Sequence, residues 1–336
     1  METGKADQRS LSLRNGRALA VTLRPYGKRG LGWAAAAVAC FLAAACGGGG
    51  EEPAAPDAAG AIQVVATTAL LADLVKNVGG ERVEVKSIVP PGADPHSFQT
   101  TPADSIAISR ARVIVSNGFG LDAFLEPVLR SAKAPGAIHV IAAEGLEPAD
   151  GRDGSGAAVA EDGQPDPQSD PHFWQNPLFA IHYVEGIRDG LAGADPDHTV
   201  DYQANAAAYI EELRKLDREI SEVLSEVDPA HRRLVSFHDA FSHFARRYGW
   251  EVSSFVAGDA EAVSPAAVVQ VLEQIRSDML PAVFVEPQFR SDVIERAAED
   301  AGVIVGTIYS DVSDANVTSY VEMMRFNAKA LAEHLK

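Results

Sequence analysis

From residue 62 onward the apolar positions switch between two periods. Short β-branched runs at Ile62–Thr67, Val83–Val89, Val113–Val115 and His139–Ile141 predict strands. Between the first two, Leu70, Leu71, Leu74, Val75 and Val78 recur at helical spacing, which predicts a helix over Ala69–Val78 stopped by Gly79-Gly80. Thr101-Pro102-Ala103-Asp104 reads as a helix start, with Thr at the N-cap, Pro in the first turn and Asp where the exposed N–H groups favour an acid. Leu121–Leu129 is a further helix. Strand and helix alternating in this way predict a parallel sheet covered by helices.

The pattern lapses over Glu144–Asp170, a Gly-, Asp-, Pro- and Ala-rich stretch with no period, expected to be a long acidic loop. Pro177–Leu191 resumes as a helix. Asp197–Val227 then carries Leu213, Leu216, Ile220, Val223, Leu224 and Val227 along one side, with charges filling the rest. As one helix it would run roughly 45 Å, long enough to tie two domains together. A second α/β half follows. Its strands are expected at Leu234–Phe237, Val252–Val256, Val283–Val285 and Val303–Ile308, and its helices at Ala240–Tyr248, Pro265–Asp278, Arg290–Ala301 and Thr318–Leu335. The expected architecture is therefore α/β: two lobes, each a mostly parallel sheet flanked by helices, joined by one long helix. The boundaries fall at residues 62–196, 197–228 and 229–336.

The region before residue 62 reads as addressing rather than fold. Lys5, Arg9, Arg14, Arg17, Arg24, Lys28 and Arg29 precede an uncharged apolar run, Leu31–Ala45, too short to span a bilayer as a helix. A basic segment followed by such a run reads as a secretion signal, residues 1–45. The run ends Leu42-Ala43-Ala44-Ala45-Cys46-Gly47, like a bacterial lipoprotein cleavage site, with its Leu four residues before the Cys where three is usual. Cys46 is thus the expected lipidated N-terminus, and residues 46–61 a flexible tether anchoring the protein to a membrane in the cell envelope. Cys40, followed by apolar Phe41-Leu42, is the weaker candidate. With Cys40 and Cys46 the only cysteines in 336 residues, a multi-disulfide framework and a Cys-rich zinc module are excluded.

Charge narrows the partners. The formal net charge of −18 opposes nucleic acid and anionic membrane surfaces as ligands and suits cations, although solubility alone also accounts for it.

Four positions carry candidate chemistry. His96 (in Asp94-Pro95-His96), His172 (in Asp170-Pro171-His172) and His238 (in Phe237-His238-Asp239) lie in segments that leave strands or enter helices. Asp311 follows the last strand. Strand C-terminal ends are where open α/β sheets place ligands. Three imidazoles and a carboxylate are a tetrahedral zinc set, and the proline before each of the first two histidines restricts the approach of the chain. Glu286 reads either as support for a ligand histidine or as a salt-bridge residue. His139, His182, His198, His231, His243 and His334 match no ligand pattern and read as ordinary surface or core residues.

Longer stretches carry a resemblance: Val64-Val65-Ala66-Thr67-Thr68, Val89–His96, Asn117–Leu121, Asp170–Trp174, His238–Phe241, Phe284–Phe289 and Tyr320–Asn327. In this order they resemble the zinc- and manganese-binding lipoproteins that feed bacterial ABC importers, the cluster A-I metal receptors with a helical backbone. The resemblance implies a metal site in the cleft between two lobes, with His96, His172, His238 and Asp311 as ligands. It also implies an importer permease and its ATPase as partners, with metallochaperones as further ones, and a monomer with no nucleic-acid role. Two features depart from the family's pattern. Zinc members often carry a His-rich loop where Glu144–Asp170 is acidic but lacks histidine, and Val312-Ser313-Asp314 replaces Ser-Leu-Ser after the fourth ligand.

The implied function is capture and delivery of a divalent metal, without catalysis. Three neutral imidazoles favour Zn2+ as the transported ion; manganese prefers more oxygen ligands, and manganese members often carry Glu at the position of His238. An extracytoplasmic zinc hydrolase is the rival from another class, but it needs an open coordination position and a general base, and the chain has no His-Glu-x-x-His segment. A metal-stabilised adhesin lipoprotein is the third reading, distinguished by whether the metal is released.

Overall fold

The computed structural model describes residues 60–147, 170–256, 265–277, 279–289, 292–312 and 317–336. The expected signal segment, Cys46 and most of the acidic loop lie outside those residues.

The first lobe begins with β1 (Ile62–Ala66), α1 (Ala69–Gly79) and β2 (Val83–Ser87). It continues with α2 (Pro102–Arg110), β3 (Val113–Ser116), α3 (Glu126–Ala132) and β4 (Ile138–Ile141). The strands form one parallel sheet in the order β2-β1-β3-β4. Val64 pairs with Val85 on one side and Val113 on the other. The starts of α1 and α2 follow from their capping residues. Thr68 accepts the N–H of Leu71 through its side chain, and the Asp104 carboxylate reaches back to the Thr101 N–H at 2.9 Å. The helix expected over Leu121–Leu129 divides into a 3-10 turn at Ala123–Leu125 and then α3. Pro127 explains the division: having no N–H, it fits the first turn of a new helix and not the interior of a continuing one.

Helix α4 (Pro177–Ala194) covers the β4 side of the sheet. Gly190 permits the close approach, since a Cβ there would stand 2.3 Å from a methyl of Val140. The long segment foreseen over Asp197–Val227 consists of a 3-10 turn at Pro196–His198 followed by α5 (Thr199–Ser225), 27 residues and so about 40 Å. Asp195 marks the junction: its carboxylate binds both His198 Nδ1 and the Tyr202 hydroxyl at 2.7 Å, which holds the turn apart from the helix proper.

The second lobe runs β5 (Arg233–His238), α6 (Ser242–Tyr248), β6 (Glu251–Val256), α7 (Pro265–Ser277) and β7 (Ala282–Val285). It ends with α8 (Asp292–Ala301), β8 (Ile304–Thr307) and α9 (Tyr320–Leu335). Two parallel pairs, β5-β6 and β7-β8, are described, and Val235, Phe237 and Val283 join β5 to β7 in a core with Ile275, Ile294 and Ala298. Gly249, in the left-handed region at φ 70°, ends α6.

Helix α5 unites the two lobes. Its buried Leu213, Leu216, Ile220 and Leu224 belong to one continuous apolar cluster that contains Val64 and Val113 of the first lobe and Leu234, Phe284, Tyr320 and Leu335 of the second. Arg247 of α6 forks onto the carboxylate of Asp217, with Nε and Nη2 at 2.9 and 2.5 Å, and fixes the second lobe to the same helix.

Candidate metal centre

Each half of the fold delivers imidazoles to one point. His96 lies on the loop from β2 to α2, His172 immediately before the turn that enters α4, and His238 is the last residue of β5. The three side chains offer one ring nitrogen each, and those atoms lie within 4.8 Å of one another. His96 Nε2 and His172 Nε2 are 3.3 Å apart. Ligand atoms about 2.0–2.1 Å from a tetrahedral zinc are separated by about 3.3–3.4 Å, so this pair already stands at a bound spacing. The ring centroids, at 5.4, 6.0 and 5.2 Å, complete a triangle.

The two Asp-Pro-His segments fold by one local rule. Asp94 Oδ1 accepts the His96 N–H, and Asp170 Oδ1 accepts the His172 N–H, each at 2.9 Å. Both are Asx turns, with proline as the central residue, already held near the needed φ. The second bond of each carboxylate differs. Asp94 Oδ2 takes the Ser97 hydroxyl at 2.8 Å, whereas Asp170 Oδ1 also reaches His172 Nδ1 at 2.7 Å. His238 Nδ1 donates in the same way to Glu286 Oε1 at 2.8 Å. A carboxylate on Nδ1 fixes the tautomer and turns Nε2 toward the site, the arrangement that supports metal-bound histidines. Glu286, fully buried just after β7, meets His238 in a contact that fits both of its readings, a support for a histidine and a salt-bridge residue.

The electrostatics differ between the two buried rings. Burial pushes the His172 imidazole down to about 4, despite the adjacent Asp170 carboxylate. Burial also works against a charge on His238, but the Glu286 carboxylate carries it above its ordinary value. Asp170 is held below the usual carboxylate range: burial opposes this and the bonds from His172 prevail.

Asp311 stands apart from the triangle and is not among the residues whose ligand atoms gather within 4.8 Å. Its Oδ1 accepts the N–H of Leu70, in the first turn of α1, at 3.1 Å and its neighbour Val312's N–H at 2.6 Å. Burial pushes this carboxyl up to about 7, against those two bonds. Among the described residues Oδ2 carries no hydrogen bond. The loop itself is clamped, since the Ser310 carbonyl accepts the Trp174 indole N–H at 2.7 Å.

The support around the triangle extends further than the sequence reading. Asn117, at the end of β3, donates to the Pro171 carbonyl at 2.9 Å and accepts the Tyr183 hydroxyl. Phe119, in the left-handed region at φ 51°, lies against Phe173 with ring centroids 4.6 Å apart. His243, read from the sequence as ordinary, is buried beside the His172 loop. The remaining unmatched histidines are scattered: His139 meets Ser116, His182 a loop carbonyl, and His198 Asp195.

These supports yield a direct prediction. Asp170→Asn and Glu286→Gln keep the side-chain shape and remove the charge that orients and strengthens a histidine ligand. Each should weaken metal binding about 10–100-fold, read by competition titration against a chelator. Unchanged affinity in both variants would mean that the carboxylates serve packing alone.

Two α/β lobes with parallel strands, a helix shared by their cores and three converging imidazoles, two of them buried and one part-buried, define a metal-binding receptor. Comparison with known proteins places the chain in a particular family. The family described as zinc-uptake complex component A, periplasmic, matches residues 64–334, and the chain belongs to it. The manganese-binding lipoprotein MntA of Halalkalibacterium halodurans is 30% identical over 287 residues, covering 82% of this chain and 88% of the relative. The iron-binding protein YfeA of Yersinia pestis is 30% identical over 282 residues, covering 82% and 87%. Among solved structures, the periplasmic zinc-binding protein TroA of Treponema pallidum superposes with a TM-score of 0.71 at 26% identity, covering 82% of this chain and 99% of that one.

Proposed function

We propose that this chain captures Zn2+ outside the cytoplasmic membrane and delivers it to the permease and ATPase of an ABC importer. The observation that carries this reading is the triangle of His96, His172 and His238, whose ring nitrogens converge within 4.8 Å. Three neutral imidazoles are a borderline-soft donor set and favour zinc over manganese. Asp311 is the proposed fourth ligand, through the Oδ2 that its backbone partners leave unengaged. Four protein ligands close a tetrahedron and leave no position for an activated water, which supports a receptor over a hydrolase.

A second reading has specific support. Relatives at 30% identity are named for manganese and for iron. The deciding experiment is competition: purified protein is equilibrated with zinc and manganese together against a chelator, and the bound metal is quantified. Zinc selectivity of several orders of magnitude supports the proposal, and equal or greater manganese occupancy overturns it in favour of a manganese receptor.

The anchor belongs to the same proposal. The signal-like segment, the small residues before Cys46 and relatives named as lipoproteins support lipidation of Cys46. Cys46→Ser should move the protein from the membrane fraction to the soluble fraction of the cell envelope. A variant that stays with the membrane would exclude a lipid on Cys46 as the anchor.

A further inference from the structure

Helix α6 starts four residues after His238 and carries His243 into the first lobe's ligand loop. The His243 side chain is wholly buried. Its ring stacks on Phe173 (centroids 4.3 Å apart, 28° between planes) and meets the edge of Phe179 at 5.6 Å. Its Nε2 is 3.1 Å from the backbone carbonyl of Asp170 and 3.9 Å from that residue's carboxylate oxygen Oδ2. A carbonyl only accepts, so Nε2 bears the hydrogen and donates. Asp170 is the residue that binds both the backbone N–H and Nδ1 of His172. A chain of contacts therefore runs from α6, in the lobe of His238, through Asp170 to the imidazole of His172.

Packing alone does not account for a histidine here. A phenylalanine would stack between Phe173 and Phe179 equally well, and it would spare the burial of a polar ring whose Nδ1 has no hydrogen-bond partner among the described residues. What a phenylalanine lacks is the donor to Asp170.

We propose that His243 is a positioning residue for the metal site, which fixes the Asp170 loop from the opposite lobe and thereby sets the orientation of His172 relative to His238. The proposal rests on the metal-receptor reading above. The His243 bond acts beside the Trp174–Ser310 bond, which also ties the His172 loop to the second lobe, and it is the one that reaches Asp170 itself.

The test compares His243→Phe, which keeps the stacking and removes the donor, with His243→Gln, whose amide nitrogen reaches about as far as Nε2. Zinc affinity is measured by chelator competition, and Co2+ is bound as a spectroscopic probe of ligand geometry. The expected result is a loss of about tenfold in zinc affinity for His243→Phe, at the low end of the range for residues that support metal ligands. It comes with an altered Co2+ absorption spectrum, and both return toward wild type in His243→Gln. The loss should shrink when Asp170→Asn is already present, because both changes act through the same ring. Wild-type affinity and an unchanged Co2+ spectrum in His243→Phe would overturn the proposal, as would a loss that His243→Gln does not restore. His172→Ala serves as the reference. If it binds zinc as tightly as wild type, the metal-receptor reading fails, and the role of His243 fails with it. If it loses binding while His243→Phe does not, only the role of His243 is refuted.

Discussion

His238→Ala should lower zinc affinity by more than 100-fold, beyond the 10–100-fold that loss of a supporting residue costs. The substitution removes one of three converging nitrogens and leaves a site of two imidazoles. It also strands Glu286, whose carboxylate is fully buried and whose strongest contact is His238 Nδ1 at 2.8 Å. The remaining donors are long: the residue 238 N–H at 3.4 Å and Gln288 Nε2 at 3.5 Å. An orphaned buried acceptor costs about 1–3 kcal/mol, so the variant should also unfold more easily. The two effects separate by measurement. Stability is read by denaturant titration in chelator, and affinity by competition under conditions where the variant is fully folded. His238→Ala that binds zinc within a few fold of wild type would remove His238 from the ligand set.

The second large effect is on stability. Leu213→Ala should cost about 2–5 kcal/mol, the range for deleting a fully buried leucine. Leu213 lies on α5 within the apolar cluster that contains strands of both lobes. The whole chain should therefore lose stability in one transition, with thermal unfolding followed by tryptophan fluorescence and far-UV circular dichroism moving together. Two separated transitions, with only one displaced, would show that α5 belongs to a single lobe and does not tie the two.

Several parts of this account were legible in the residues. The alternation of β-branched runs with helical spacings anticipated the strands within a residue or two, because each strand is short and bounded by Gly, Pro or a cap. The Asp-Pro-His segments were legible because their geometry is local: an Asx turn needs only the Asp, the Pro and the N–H two residues on. The break before α3 is hidden in the sequence because Leu121, Phe124, Leu125, Val128 and Leu129 keep helical spacing across it, although Pro127 marks it. The role of His243 was not legible, since its partner Asp170 lies 73 residues away and on another lobe. Asp311 joins the histidines in the sequence because it follows a strand and completes a tetrahedral donor set, and the family resemblance implies the same role. Its bond to Leu70, across 241 residues, depends on how the lobes meet, and no local signal encodes it. The choice of metal is hardest to read, because relatives at one level of identity carry different metals in their names.

The central claim is that His96, His172 and His238 together hold the transported ion. X-ray absorption at the zinc edge on the zinc-loaded protein tests it most directly, because imidazole rings give distinctive outer-shell scattering. The account predicts a four-coordinate ion with three imidazole nitrogens at about 2.0–2.1 Å and one oxygen at about 2.0–2.2 Å. A shell with no more than one imidazole, or a six-coordinate shell made of oxygens, would contradict it.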